Sequence, residues 1–157
     1  MLEQIFTYFT IDIIYLWLNI GVIPFWLILI FFPSSKICSI FVSSIFPFII
    51  LSAIYTYLVY FFFISDYDFS HNFVLYLSLD DLKNLFNNDG FLIIFWTHFI
   101  AINLFCGSWI VKDCQKYAIS KYLTFVPLLI TYFVGPLGLF IYWIIRIFYA
   151  KKIALFD

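Results

Sequence analysis

Long apolar runs separated by short polar segments dominate the pattern along the chain. Four runs, at residues 13–32, 37–64, 91–111 and 122–148, are long enough to cross the roughly 30 Å hydrocarbon core at about 1.5 Å of rise per residue. The first run has neither a positive flank nor a cleavage signal, so we expect it to be retained. The pattern predicts an all-α integral membrane four-helix bundle that forms one domain over residues 1–157.

The segment between the second and third runs is polar and acidic. Between residues 65 and 90 there are five aspartates and one basic residue, Lys83. Ser78 followed by Asp81 predicts a helix start, because a serine oxygen caps amides and an acidic side chain favours the positive helix end. An apolar stripe follows, formed by Leu79, Leu82, Leu85 and Phe86. We expect a short amphipathic helix on the bilayer surface or over the bundle; a partner-binding helix is the alternative.

Four crossings would put both termini on one face, together with the loop helix. The basic residues near the span ends should then set the orientation. One face would carry Lys83, Arg146, Lys151 and Lys152, and the other Lys36, Lys112, Lys116 and Lys121. With four on each face, the charge distribution does not predict an orientation.

Composition narrows the function classes. Hydrophobic residues make up 66% of the chain and charged residues 11%, which excludes a soluble domain. A net charge of -1 leaves no basic surface for nucleic acid. The three cysteines form no Cys-x-x-Cys pair, and His98 and Cys106 lie about 12 Å apart along one helix, too far to share a metal ion. We therefore predict no metal and no cofactor.

Two features of the third and fourth runs are candidates for chemistry. His98 lies near the middle of its run, where an ionisable group needs a partner and is a candidate functional residue; a packed structural histidine is the alternative. Gly135-Pro136-Leu137-Gly138 interrupts the fourth run, because Pro136 cannot donate to the carbonyl of Tyr132. This break would serve either helix packing or a lipid-substrate cleft. We expect His98 and the break to lie at similar depth and to line one cleft.

Asn103, in the third run, carries an amide that costs a few kcal/mol in hydrocarbon unless it is bonded. We therefore expect Asn103 to face protein, and its replacement by leucine to destabilise the bundle.

Motifs in the third and fourth runs resemble the neoxanthin synthase-like (abscisic-acid-deficient-four-like) membrane proteins of plastids and many bacteria. The residues that carry the likeness are Trp96 and His98, Leu104 and Phe105, Gly107, Trp109, Asp113 and Ile119, Pro127 to Leu129 with Thr131, and Gly135 to Leu139 with Tyr142 and Arg146. Weaker similarity extends through Pro24 to Trp26, Pro33, and Leu77 to Phe86. Where the family usually has an aspartate and an arginine, this chain has Asn103 and Ser108.

The resemblance implies a four-helix membrane protein related to the conversion of the epoxide carotenoid violaxanthin into allenic neoxanthin. That isomerisation needs an acid to open the epoxide and a base to remove a proton from the polyene. By this resemblance the candidate catalytic residues are His98 and Asn103. The candidate substrate-binding residues are Trp96, Trp109, Thr131, Gly135, Pro136 and Gly138.

The leading interpretation is therefore a carotenoid-related membrane protein that binds or isomerises an epoxide carotenoid or similar polyene. We expect it in a bacterial inner membrane or a plastid-type membrane, with the lipid bilayer and a lipophilic small molecule as partners. The alternative is a non-catalytic small subunit that packs against other membrane subunits. A transporter is disfavoured, because the sequence shows neither paired membrane charges nor inverted repeats.

Overall fold

The computed structural model describes residues 10–64 and 78–154, and these form helices and short connections without a strand. The predicted all-α class is confirmed. Asp66 and Asp68 of the acidic segment lie outside the described residues. The six α-helices are α1 (Ile11–Phe31), α2 (Phe46–Val59), α3 (Leu79–Phe86), α4 (Asp89–Lys116), α5 (Lys121–Phe133) and α6 (Gly135–Ala150).

Three segments are long and apolar enough to cross a membrane: α1, the segment Cys38–Phe62, and α4. The second contains α2, which has π-helical turns at Cys38–Val42 before it and at Tyr60–Ile64 after it. About 44% of the apolar window of α4 is buried inside the chain, against 28% in each of the other two segments. α4 is therefore the most buried of the three candidate spans.

The sequence predicts one long crossing over residues 122–148, but the structure has two shorter helices there. α5 has 13 residues and α6 has 16, so they measure about 20 Å and 24 Å, less than the hydrocarbon core. Val134 between them has an extended backbone, with φ −141° and ψ 84°. The two helices pack against each other, so this segment is a helical hairpin rather than a kinked rod.

Local chemistry explains where the hairpin turns. Pro136 has no N–H to continue α5. The carbonyl of Val134 instead accepts bonds of 3.1 Å from the N–H groups of both Leu137 and Gly138, which starts α6. Proline is well tolerated in such a first turn. The interruption predicted from the sequence is therefore a complete change of direction.

The chain divides into two compact units, and the first combines residues 10–21 with residues 49–64 and 78–100. In this unit α3 begins as predicted, since the Ser78 hydroxyl accepts a 3.1 Å bond from the Asp81 N–H. Its Phe86 ring then packs on the start of α4, with ring centroids 5.2 Å from Phe91 and 4.8 Å from Phe95. The expected amphipathic helix is thus present and attached to the first turns of α4.

The second unit combines residues 22–48 with 101–154, and it contains the whole hairpin. α1 and α4 run in the same direction within it. Gly107 lies against the Trp26 indole and Leu29, and the Gln115 amide donates a 2.7 Å bond to the carbonyl of Pro33 farther along. The ends of α1 and α4 therefore lie at the same end of this unit.

Candidate functional site

The hairpin lies against α1 and α4, and three contacts show its path along α4. Gly135 meets Asn103, the Tyr142 ring meets Trp109 at 5.7 Å, and Arg146 meets Asp113. From one pair to the next, the residue numbers in α4 and in α6 increase together. α6 therefore runs parallel to α4.

α5 runs the other way beside α1. The Phe125 ring is 6.2 Å from Phe31 at the end of α1, whereas the Tyr132 ring is 5.4 Å from Trp26, farther back. The hairpin thus starts and finishes at the end of the unit where α1 and α4 terminate. Its tip reaches Asn103, the fifteenth of the 28 residues of α4. The turn lies at the mid-length of the longest helix.

The hairpin packs tightly near its tip. A Cβ added at Gly138 would collide with the Thr131 side chain and approach the Pro127 carbonyl oxygen to 2.7 Å. The Thr131 hydroxyl itself donates a 2.7 Å bond to that carbonyl. Gly138 is thus required by a close approach of the two helices.

The base of the hairpin holds a buried ion pair. Arg146 Nε donates to Asp113 Oδ2 at 2.7 Å, and the two side chains are only 3% and 6% exposed. The Tyr142 hydroxyl donates to the same oxygen at 2.6 Å. Two charge-assisted bonds therefore converge on one carboxylate oxygen.

The remaining donors of Arg146 are also bonded. Nη2 donates to the carbonyl of Ala154 at 2.9 Å and to the Tyr117 hydroxyl at 3.4 Å, and Nη1 donates to the carbonyl of Lys152 at 3.2 Å. The chain reaches these positions because Lys151 adopts a left-handed backbone with φ 52°. The guanidinium is buried with its charge compensated and its fork occupied, as a buried arginine requires.

The tip of the hairpin differs from its base in how its buried polar side chain is bonded. Asn103 is only 4% exposed, and its Nδ2 has no hydrogen-bond partner among residues 10–64 and 78–154. A Cβ added at Gly135 would collide with the Asn103 carboxamide, so only glycine leaves room for this amide. Burying a donor without a partner costs about 1–3 kcal/mol. The tip therefore contains a buried donor that no described residue uses.

Aromatic rings flank the hairpin on both sides. Trp26 meets Tyr132 edge to face on the α5 side, and Trp109 meets Tyr142 edge to face on the α6 side. Such pairs add stability beyond the area they bury.

The structure assigns the predicted site residues to different units. In the second unit, Asn103 contacts Gly135, Thr131 contacts Gly138 and Trp109 contacts Tyr142, while Pro136 is exposed in the first turn of α6. Asn103 is buried in protein, as its amide predicts.

His98 and Trp96 belong to the first unit. The His98 side chain is exposed, and its ring lies 6.0 Å from that of Tyr55. The Trp96 indole donates a 3.3 Å bond to Asn19 Oδ1. A cleft shared by His98 and Gly135 stays a prediction.

Sequence reasoning missed the network at the base of the hairpin. Arg146 was expected at the water boundary on the face opposite Asp113, but it is buried and paired with that aspartate. The expected lack of paired charges is therefore wrong. The sequence feature that could have revealed this network is that Asp113, Tyr142 and Arg146 all match the family pattern. Among the described residues, no group of three histidine, cysteine or carboxylate side chains could hold a metal ion.

Three segments long and apolar enough to cross a membrane, together with two shorter apolar helices, define a small all-α integral membrane protein. The family model described as ABA4-like, ABA DEFICIENT 4-like, matches residues 13–142. The chain belongs to this family, which confirms the resemblance found in the sequence. No match was found among curated proteins or among solved structures.

Proposed function

We propose that this protein binds a carotenoid or a similar polyene in the membrane and holds an oxygen-bearing end of that molecule at the tip of the hairpin. The observation that carries the proposal is the unused Nδ2 donor of Asn103, buried beside Gly135. Membership of the ABA4-like family supports the ligand class, because it suggests a carotenoid protein related to neoxanthin synthase. A bacterial inner membrane or a plastid-type membrane is the proposed location.

The chemistry of an amide limits what Asn103 does. Its N–H donates a hydrogen bond to a neutral hydroxyl, carbonyl or epoxide oxygen, but it does not transfer a proton at neutral pH. Asn103 therefore serves binding and orientation in this proposal. Isomerisation of an epoxide needs an acid and a base as well. His98 is the candidate for one of these two groups, either the acid or the base, and its action is a separate part of the proposal.

The surroundings of the donor suit a long conjugated molecule. A ligand pocket in protein is mostly apolar, with a few polar groups that fix orientation. Tyr132 and Trp109 are half-buried and supply aromatic surface along the two hairpin helices, backed by the buried rings of Trp26 and Tyr142. Tyr132 and Trp109 would contact the polyene, while Asn103 would bind its oxygen.

Expression in a carotenoid-producing bacterium tests the proposal. We expect the purified wild-type protein to carry pigment or to change the pigment profile, and Asn103→Leu to reduce bound pigment at least tenfold. Thr97→Val is the matched control, since Thr97 is a buried polar residue of the same helix whose hydroxyl is already bonded to the Ile93 carbonyl. It should retain pigment. Equal pigment in wild type and Asn103→Leu would contradict the proposed role of Asn103.

His98→Phe separates binding from catalysis in the same experiment. If His98 is catalytic, this variant keeps its bound pigment and its thermal stability but loses product. If His98 is structural, stability falls together with pigment.

The second candidate function is a non-catalytic membrane subunit. The observation that favours it is the exposed surface of α2 and α4 in the first unit. An imidazole, His98, is exposed at mid-helix, where a polar group is unfavourable in lipid. An open depression nearby is lined by Ile49, Ser52, Ala53, Thr56, Tyr57 and Tyr60. A wild-type protein that carries no pigment but co-purifies with a membrane protein through this surface would favour the subunit.

A further inference from the structure

Basic side chains are concentrated at the end of the second unit where the hairpin starts and finishes. Gln115 at the end of α4 is bonded to Pro33 after α1, and Arg146 near the end of α6 is bonded to Asp113. The connections at this end and their flanks carry seven of the eight basic residues of the chain: Lys36, Lys112, Lys116, Lys121, Arg146, Lys151 and Lys152.

The eighth basic residue is placed differently. Lys83 belongs to α3, just before the first residue of α4, and so it lies beyond the opposite end of a 28-residue helix about 42 Å long. There it is paired with Asp80 at 3.0 Å and accompanied by Asp81 and Asp89. The two ends of α4 therefore differ in charge, one basic and one acidic.

We infer that α5 and α6 form a re-entrant hairpin, which enters the bilayer and leaves it by the same face, and that this basic face contacts the anionic inner leaflet. The chain then crosses the membrane three times, through α1, Cys38–Phe62 and α4. Residues 10 and 154 lie on opposite faces of the membrane.

The dimensions of the hairpin support this arrangement. Neither α5 nor α6 is long enough to cross the core alone, and their turn meets Asn103 at mid-length of a helix that does cross. Backbone at mid-membrane must have its polar groups satisfied. At this turn the Val134 N–H donates to Ile130, and the Val134 carbonyl accepts from two residues of α6.

The charge distribution supports it independently. Four full crossings divide the basic residues evenly between the two faces, whereas three crossings and a re-entrant hairpin give seven against one. Inner faces of membrane proteins are enriched in lysine and arginine, and anionic lipids attract such clusters. Only the second arrangement produces the usual asymmetry.

Accessibility labelling in intact cells tests the inference. Single cysteines are introduced as Ser34→Cys, Asn84→Cys and Ala154→Cys in a chain whose Cys38, Cys106 and Cys114 are replaced by serine or alanine. A membrane-impermeant maleimide should label Asn84→Cys in intact cells, and the other two only after permeabilisation. Labelling of Ala154→Cys together with Asn84→Cys would overturn the re-entrant hairpin. Labelling of Ser34→Cys and Ala154→Cys in intact cells, with Asn84→Cys protected, would overturn the orientation.

A second measurement avoids the cysteine replacements. The unmodified chain is fused after its last residue either to a fluorescent protein that matures only inside the cell or to a phosphatase that is active only outside it. We expect at least a tenfold preference for fluorescence over phosphatase activity. An active phosphatase with no fluorescence would place the carboxyl terminus outside and overturn the inference.

Discussion

The base and the tip of the hairpin both bury polar side chains, but they do so in opposite ways. At the base, Asp113, Tyr142 and Arg146 are bonded to one another, and the arginine fork is completed by backbone carbonyls. At the tip, Asn103 is buried to a similar degree, and its Nδ2 has no partner in the described part of the chain.

This difference separates polar groups that stabilise the fold from those available for a ligand. A buried group with all its bonds made raises stability only while its partners remain, and its loss leaves a charge or a donor uncompensated. A buried donor with no partner lowers stability already. The comparison therefore predicts that substitutions at the base are costly, whereas substitution at the tip is cheap for the fold and damaging for binding.

The largest effect is expected from Arg146→Met. This variant leaves the Asp113 carboxylate buried with only the Tyr142 hydroxyl as partner, so the free energy of unfolding should fall by about 3–5 kcal/mol. Thermal unfolding in detergent measures the loss. The double variant Asp113→Asn with Arg146→Met removes both charges and should recover part of the stability. A double variant less stable than Arg146→Met alone would argue against the ion pair as the cause.

Tyr142→Phe should have the next largest effect. It removes one of the two donors to Asp113 and leaves the ion pair, so we expect a loss of about 1.5–3 kcal/mol, as for a hydrogen bond to a charged group. Tyr149→Phe is the control, because Tyr149 is exposed on the same helix. Detergent unfolding should show no change for the control. Similar losses in both variants would mean that the bond to Asp113 contributes little.

Gly138→Ala tests the packing just behind the tip. The new Cβ would collide with Thr131, so the two hairpin helices must separate, at a cost of about 1–3 kcal/mol. Gly21→Ala is the matched control, because a Cβ there has nothing within 4 Å. Since alanine is the better helix former, that variant should gain up to about 1 kcal/mol. If both variants change the free energy of unfolding in the same direction, the close approach of Gly138 to Thr131 is contradicted.

Asn103→Leu should have the smallest effect on stability. Sequence reasoning alone predicts a loss of stability, on the assumption that the amide is bonded. In the described part of the chain, however, Nδ2 has no partner. We expect a change within about 1 kcal/mol. The same substitution at Asn19, which donates to Tyr15 and accepts from Trp96, should cost more. If Asn103→Leu is the more damaging of the two in detergent unfolding, Asn103 has a structural partner.

Hydropathy predicts the three long helices well because a span must be apolar along its whole length. The first and third predicted spans, 13–32 and 91–111, overlap α1 and α4, and the capping chemistry of Ser78 correctly predicts α3. The fourth span was harder, because a crossing helix and a hairpin have the same composition. The extended backbone of Val134 and the approach of Gly138 to Thr131 distinguish them, and both are tertiary properties.

The candidate site was predictable to a similar extent. The burial of Asn103 followed from the cost of an amide in lipid, and the interruption at Gly135 and Pro136 was evident in the sequence. The pairing of Asp113 with Arg146 was not, since 33 residues separate them and a straight fourth helix would carry Arg146 away from Asp113. The outward orientation of His98 depends on how α4 is rotated, which helical periodicity alone left undetermined.

The single-residue turn at Val134 has a consequence for biogenesis. A hairpin that returns to the face from which it entered requires no translocation of the residues that follow it, so Lys151 and Lys152 never pass through the insertion channel. The membrane-insertion machinery then needs to recognise only three crossing segments. The hairpin can pack against α1 and α4 after those helices are in place. Assembly of this protein would then end with a docking step from the cytoplasmic side, completed when the carbonyls of Lys152 and Ala154 meet Arg146.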